Sequence, residues 1–256
     1  MNAWLADLPV WSLGFTLVLA RTGAALSFLP GLGETAAPPM VRAGIALALT
    51  VLLLPSLLPL MPPPPDSGGR FALMVAAEVV TGVWFGWLSR LAVLSLPIAA
   101  QYLAYLLGLS SVLQTDPELG AQTTAIARMA ATAMPVIVLG SGLYTQPIEA
   151  LHGLYALVPP GTIPPFADGA AGAVQAVVRC FVLALRLASP FAAACIVWHV
   201  SIGLAARLVP RLQIYFVAAP GQILGGLVLL ASLSGMLLGV WGGGVRLGFA
   251  NLPGAR

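Results

Sequence analysis

"FALMVAAEVVTGVWFGWLSRLAVLSLPIAAQYLAYLLG", Phe71 to Gly108, is apolar for almost twice the roughly 20 residues that carry a helix across a bilayer, yet it holds Glu78, Arg90 and Pro97. Length and apolarity predict membrane-type helix. A single charge at a helix centre costs about 2.5–3.5 kcal/mol on insertion scales, so Glu78 and Arg90 are not expected to face acyl chains. Proline removes an amide donor and crowds the preceding turn, so a run of this length is expected to be a broken helix or a tight helical hairpin.

The rest of the chain repeats the pattern. Hydrophobic residues make up 59% and charged residues 7% of the 256 positions, and the mean hydropathy is +0.98. Further apolar runs cover Pro9 to Leu29, Met40 to Leu60, Ile126 to Val158, Ala173 to Leu208 and Ile214 to Trp241. Two of these are again longer than one span, and they contain Pro135 and Pro147, then Pro190. Six to eight helical segments are expected, in an all-α, polytopic membrane-type protein. The first run lacks a preceding Lys or Arg and is expected to stay in the mature chain. Pro62 to Pro65 form a stiff polyproline connector.

The 11 basic residues are all Arg and give a net charge of +3, but they are scattered singly, which argues against a nucleic-acid partner. Their topology votes conflict. Arg207 and Arg211 place one connection in the cytoplasm, and Arg246 and Arg256, one straight span later, do the same for the tail. Arg21, Glu78, Arg90, Arg179 and Arg186 lie inside apolar runs. Arg179 and Arg186, seven apart, share one helical face, with Glu78 as an available counter-charge. Gly221, Gly225, Gly235, Gly239 and Gly243, with Ser232 between them, form a small-residue stripe suited to close helix packing, within the chain or against a partner. Gly82 and Gly86 repeat the spacing.

No catalytic grouping is visible. His152 and His199 are isolated, and Cys180 and Cys195 lie in apolar runs without metal-ligand spacing. There is no phosphate loop and no nucleophile elbow. No cofactor or metal is expected, and a non-enzymatic role follows. Glu78 is the one acid clearly placed within a span, where a proton-coupled transporter would need several. The polar island is "GLSSVLQTDPELGAQTT", Gly108 to Thr124, in which Asp116 and Glu118 flank Pro117 in a turn-forming Asp-Pro setting.

Four blocks resemble the FliR family of flagellar biosynthesis proteins, whose injectisome counterpart is SctT. They are "RTGAALSFLPGLGETAAPPMVRAGIALALTVLLLP" (Arg21 to Pro55), "EVVTGVWFGWLSRLAVLSLPIAAQYLAYLLGLSSVLQTDPELGAQ" (Glu78 to Gln122), "LYTQPIEALHGLYALVPPG" (Leu143 to Gly161) and "IGLAARLVPRLQIYFVAAPGQILGGLVLL" (Ile202 to Leu230). The chain departs from the family at Arg211, usually Gln, and at Ala218 and Ala219, commonly Gly-Phe. The resemblance implies a single export-gate domain over 1–256, with 1–170 FliP-like and 171–256 a FliQ-like helical hairpin. It implies a subunit of a type III export gate in the bacterial inner membrane and flagellar basal body, partly raised toward the periplasm. FliP, FliQ, FlhB and FlhA would be its partners, and unfolded proteins its substrates. The loop 108–124 would be a channel plug carrying Gly108, Ser110, Ser111, Gln114, Asp116, Pro117, Glu118 and Gly120. The glycines Gly221, Gly225, Gly235 and Gly239, with Arg179, Arg186 and Glu78, would serve subunit packing. An injectisome gate subunit and a small-solute transporter remain the alternatives. Co-purification with FliP- and FliQ-like chains separates the gate readings from the transporter.

Overall fold

A computed structural model of the chain describes residues 3–34, 37–109, 113–115, 122–163, 166–208 and 214–255. Seven α-helices run through them: α1 (Ala3–Leu26), α2 (Pro39–Leu57), α3 (Gly68–Leu106), α4 (Ala125–Gly140), α5 (Thr145–Leu157), α6 (Phe166–Leu208) and α7 (Ile214–Ala250). Two three-residue strands, β1 (Leu113–Thr115) and β2 (Gln122–Thr124), stand between α3 and α4. The chain is an all-α, polytopic membrane-type protein. Among the described residues, five helices are long and apolar enough to cross a membrane, or six spans if α4 and α5 count as one.

The prolines do not break the helices where expected. α3 passes through Pro97 and α6 through Pro190 without interruption, over 39 and 43 residues. In apolar helices the freed carbonyls are re-satisfied locally, so proline is tolerated. Among the described residues, the sharp bend within an apolar run falls between α4 and α5, at 73°. There the chain turns at Gly142, whose φ of 73° is a left-handed conformation open to glycine. Pro135 and Pro147 lie inside the two helices rather than at that turn.

The helices gather into two compact units. The first comprises Met1–Val93, Pro135–Val177 and Arg246–Arg256, and the second Leu94–Met134 and Val178–Val245. In the first, Val18 of α1, Leu53, Leu54 and Leu57 of α2 and Tyr155 of α5 form a buried cluster. A second cluster joins Leu13 and Leu17 to Met74 of α3. Thr22 and Thr50 face each other at 2.9 Å between α1 and α2, each also within reach of its own helix carbonyl. Each hydroxyl has one proton, so one bridges the helices while the other bonds back.

In this unit α1 and α3 approach closely. A Cβ on Gly82 would fall on the Arg21 carbonyl, and one on Gly86 on the Ala25 carbonyl. Glu78 lies one turn before Gly82 on the same face, which brings its carboxylate to Arg21. Arg21 Nε donates to Glu78 Oε2 at 2.6 Å and Nη2 to Oε1 at 3.0 Å, a bidentate pair with both side chains fully buried. Nη1 donates to the Val158 carbonyl at 2.9 Å, just past the C-terminus of α5, where the negative end of the helix dipole favours a cation. The Gly161 amide donates to Glu78 Oε1 at 2.6 Å. The Tyr155 ring stacks on the guanidinium, 4.1 Å from centroid to Cζ. One ion pair thus joins α1, α3 and the end of α5.

In the second unit, Leu103 and Leu107 at the end of α3 pack on Ala188 and Phe191 of α6, with Leu229, Leu230, Leu233 and Leu237 of α7 against them.

Two outcomes follow from this packing. Glu78→Ala leaves a buried guanidinium without its counter-charge, which costs about 3–5 kcal/mol, whereas an apolar replacement of both partners recovers much of that. Thermal unfolding of the detergent-solubilised protein followed by circular dichroism is expected to show a lower Tm for Glu78→Ala than for Arg21→Leu with Glu78→Leu. Gly82→Val puts a branched side chain onto the Arg21 carbonyl and is expected to separate α1 from α3. The same measurement should show a loss at least as large as that of Glu78→Ala.

Candidate functional site

The polar island after α3 is a small antiparallel hairpin. Leu113 pairs with Thr124, Gln114 with Thr123 and Thr115 with Gln122. The chain between the strands, residues 116–121, lies outside the described residues, as do 110–112. Of the residues expected in the loop, Gly108 and the backbone of Gln114 are therefore described, while Ser110, Ser111, Asp116, Pro117, Glu118 and Gly120 are not.

Both roots of the hairpin are tied to polar side chains. α3 ends at Leu106, and Gly108 follows with a φ of 73°, a left-handed helix stop that glycine adopts without steric cost. The Leu106 carbonyl accepts from Gln222 Nε2 of α7 at 2.9 Å and from Cys195 Sγ of α6 at 3.4 Å. His199, one turn beyond Cys195, holds its Nδ1 2.8 Å from the Cys195 carbonyl.

At the other root, Gln101 Oε1 of α3 accepts from the Thr124 amide at 3.1 Å and from the Thr124 hydroxyl at 3.0 Å. Gln101 Nε2 donates to the Tyr105 hydroxyl at 2.9 Å, which sets the amide orientation. Thr124 Oγ1 in turn accepts the Ala127 amide at 3.3 Å and caps the start of α4. One threonine closes the hairpin, starts the next helix and anchors both to α3.

The remaining expected residues are placed as follows. Glu78 pairs with Arg21 and is fully buried, so it is not the counter-charge of Arg179 or Arg186. Those two arginines are exposed on α6. Arg90 reaches Glu34 at 3.5 Å. On α7, nothing lies within 4 Å of a Cβ built on Gly225, Gly235, Gly239 or Gly243, and Gly221 would meet Trp198 at 3.2 Å. The close packing falls on neighbouring glycines instead. A Cβ on Gly226 would strike Leu107, and one on Gly244 would strike Leu183. At 100° per residue the stripe sits about a third of a turn from the face bearing Gln222, Gly226, Leu233 and Leu237. Intramolecular packing therefore uses the second face and leaves most of the stripe open.

Sequence reasoning weighed the charges in the apolar runs and passed over the uncharged amides. Gln101 and Gln222 are polar groups within helices that could cross a membrane, and such groups need partners in apolar surroundings as charges do. That was the available signal. Among the described residues, no three His, Cys, Asp or Glu side chains gather as a metal site would require.

The profile of the bacterial export proteins, family 1, matches residues 12–247. The flagellar biosynthetic protein FliR of Caulobacter vibrioides is 34% identical over 242 residues, covering 94% of this chain and 95% of that protein. FliR of Escherichia coli is 26% identical over 216 residues, 84% of this chain and 82% of the relative. FliR of Bacillus subtilis is 22% identical over 219 residues, 84% of each. With a match running from the first half of α1 to near the end of α7, across both units and the rooted hairpin, the chain belongs to the bacterial export proteins, family 1.

Proposed function

We propose that this chain is the FliR-type subunit of a flagellar protein-export gate, in which the hairpin between α3 and α4 plugs a channel for unfolded polypeptides. The observation that carries the reading is the hairpin itself. It is a polar loop, rooted at both ends by amide side chains, in a chain that is 59% hydrophobic. A plug needs polarity to sit in a wet lumen, firm roots to return to one position, and a glycine pivot such as Gly108. It needs no catalytic group, and the flagellar names of the relatives favour flagellar over injectisome use.

The helix lengths support an assembly. At about 1.5 Å per residue, α3 and α6, with 39 and 43 residues, extend about 58 and 65 Å, against about 30 Å of hydrocarbon. Apolar surface beyond that thickness needs protein cover. The most apolar 18-residue stretch of α7 is only 6% buried within the chain, and its open glycine stripe suits a closely packed neighbour. FliP- and FliQ-type subunits would supply that cover, with FlhB and FlhA at the cytoplasmic side of the inner membrane. In this reading residues 1–170 are the FliP-like part and 171–256, nearly all of α6 with α7, the FliQ-like hairpin.

Deleting Val112 to Gly120 is expected to make the purified complex conduct ions in planar bilayers while the closed wild-type complex does not. Wild-type conductance together with wild-type secretion would sink the plug assignment. Arg179→Leu makes an exposed face of α6 more apolar, yet it is expected to lower the yield of complex recovered by affinity-tagged FliP-type subunit, because the arginine meets a partner. Unchanged yield would instead assign Arg179 to the lipid headgroups.

A further inference from the structure

α6 and α7 run antiparallel through the second unit, since Gly221 lies against Trp198 and Gly244 against Leu183. The second contact fixes how the two helices face each other. At about 100° per residue, Arg179 and Arg186 stand about 40° and 60° round α6 from Leu183, both in the same sense. On the antiparallel α7, Gly243 and Gly239 stand about 100° and 140° from Gly244, on that same side of the seam. The buried residues take the opposite side, Cys180, Ala184 and Leu187 on α6 with Trp241 and Val245 on α7. The outward side is a groove in which Val182 and Met236 are exposed and a Cβ on Gly239 or Gly243 would meet nothing within 4 Å. The two arginines stand about 10 Å apart along it.

This groove lacks a counter-charge. The ion pairs among the described residues are Arg21 with Glu78, Arg70 with Asp66 and Arg90 with Glu34, and the acid in the sequence of α6 and α7 is Asp168, three turns before Arg179. Lipid headgroups do not serve both arginines. Arg186 stands near the middle of α6, so a hydrocarbon layer of about 30 Å centred on the helix holds it about 15 Å from either surface. A layer moved toward Phe166 takes in Arg179, and one moved toward Leu208 leaves the exposed Phe181, Val182 and Leu185 without lipid cover. Each placement calls for protein in the groove. We infer that the outward groove of the α6–α7 hairpin seats an apolar helix of a neighbouring subunit, and that this helix carries two carboxylates spaced to meet Arg179 and Arg186. The inference rests on the gate-subunit reading and names the chemistry of the neighbour. Glycine lets the second helix approach closely, and arginine takes a carboxylate through two parallel hydrogen bonds, as Arg21 takes Glu78.

The test recovers the complex through an affinity tag on this chain, co-expressed with FliP- and FliQ-type subunits, and measures the neighbouring subunits bound per chain. Three forms are compared: unaltered, Arg179→Leu with Arg186→Leu, and Arg179→Lys with Arg186→Lys. The leucine form leaves the neighbour's carboxylates unpaired, so bound neighbour is expected to fall about tenfold or more, while the lysine form retains most of it. Full recovery with the leucine form overturns the inference and gives the arginines to lipid headgroups. Equal loss from both forms overturns it too, since shape rather than charge would then hold the neighbour. A second measurement leaves the charges in place: a benzophenone amino acid substituted for Val182 is expected to cross-link to a helix bearing two acidic residues at the arginines' spacing. A cross-link to lipid alone, or to a segment without acids, overturns the inference even where the leucine form fails to fold. If the unaltered chain recovers no neighbour, the gate-subunit reading falls first and the docking groove with it.

Discussion

Arg21 and Glu78 have no exposed surface, and the first unit is arranged around keeping that tolerable. A buried charge is affordable only with an opposite charge and with its remaining donors and acceptors occupied. Here the carboxylate accepts three hydrogen bonds, two from the guanidinium and one from the Gly161 amide. The guanidinium adds the Val158 carbonyl and the face of Tyr155. Meeting those demands fixes geometry elsewhere. α1 and α3 must approach until only glycine fits at positions 82 and 86, α5 must end beside Arg21, and the following turn must place its amide on Glu78. Shifting α3 by one residue along α1 would take Glu78 off the shared face and leave both charges uncompensated. The pair therefore specifies register, which a slippery apolar interface of Leu, Val and Ala does poorly.

The second unit works with neutral groups on the same principle. The backbone polar groups left over at the end of α3 and the start of α4 lie beside apolar side chains, where an unsatisfied carbonyl or amide is costly. Gln101, Thr124 and Gln222 satisfy them. The hairpin is consequently fixed at its base by side-chain amides rather than by a deep sheet, since its ladder holds three residue pairs.

Much of this was legible in the residues, and the failures have physical causes. Apolar run length located the long helices, and the Gly82–Gly86 spacing marked a close helix contact on α3 without naming α1 as its partner. Periodicity shows which residues share a face but not which face meets which, so Glu78 was matched with arginines on α6 when its partner stands on α1. Proline was read with the rules of soluble helices, and the runs through Pro97 and Pro190 were expected to break. In helices this apolar the alternative to an imperfect helix is an unsatisfied backbone in hydrocarbon, so the helix continues. On α7, stripe geometry could not tell Gly225 from Gly226, because chain-internal packing depends on where Leu107 projects. The two glutamines went unweighed because they carry no charge.

The arrangement of glycines on α7 bears on why such a helix is stable at all. A helix whose interior contains Gly at 221, 225, 226, 235, 239, 242, 243, 244 and 248 loses about 0.5–1 kcal/mol at each relative to Ala in water. In an apolar surrounding the backbone bonds cannot be traded for water, which offsets that loss and keeps the helix intact. Gly226, Gly244 and Gly248 are then used within the chain, each filled by a side chain of a neighbouring helix, Leu107, Leu183 and Ala92. Gly225, Gly235, Gly239 and Gly243 have no such use here, and lipid gains nothing from a groove that a methyl group would fill as well. A second helix does gain, because close approach converts each missing side chain into backbone contact. The glycines of α7 thus divide into a filled set and an open set on two faces, so that one side of the helix is committed to its own chain and the other offers a groove for close helix approach.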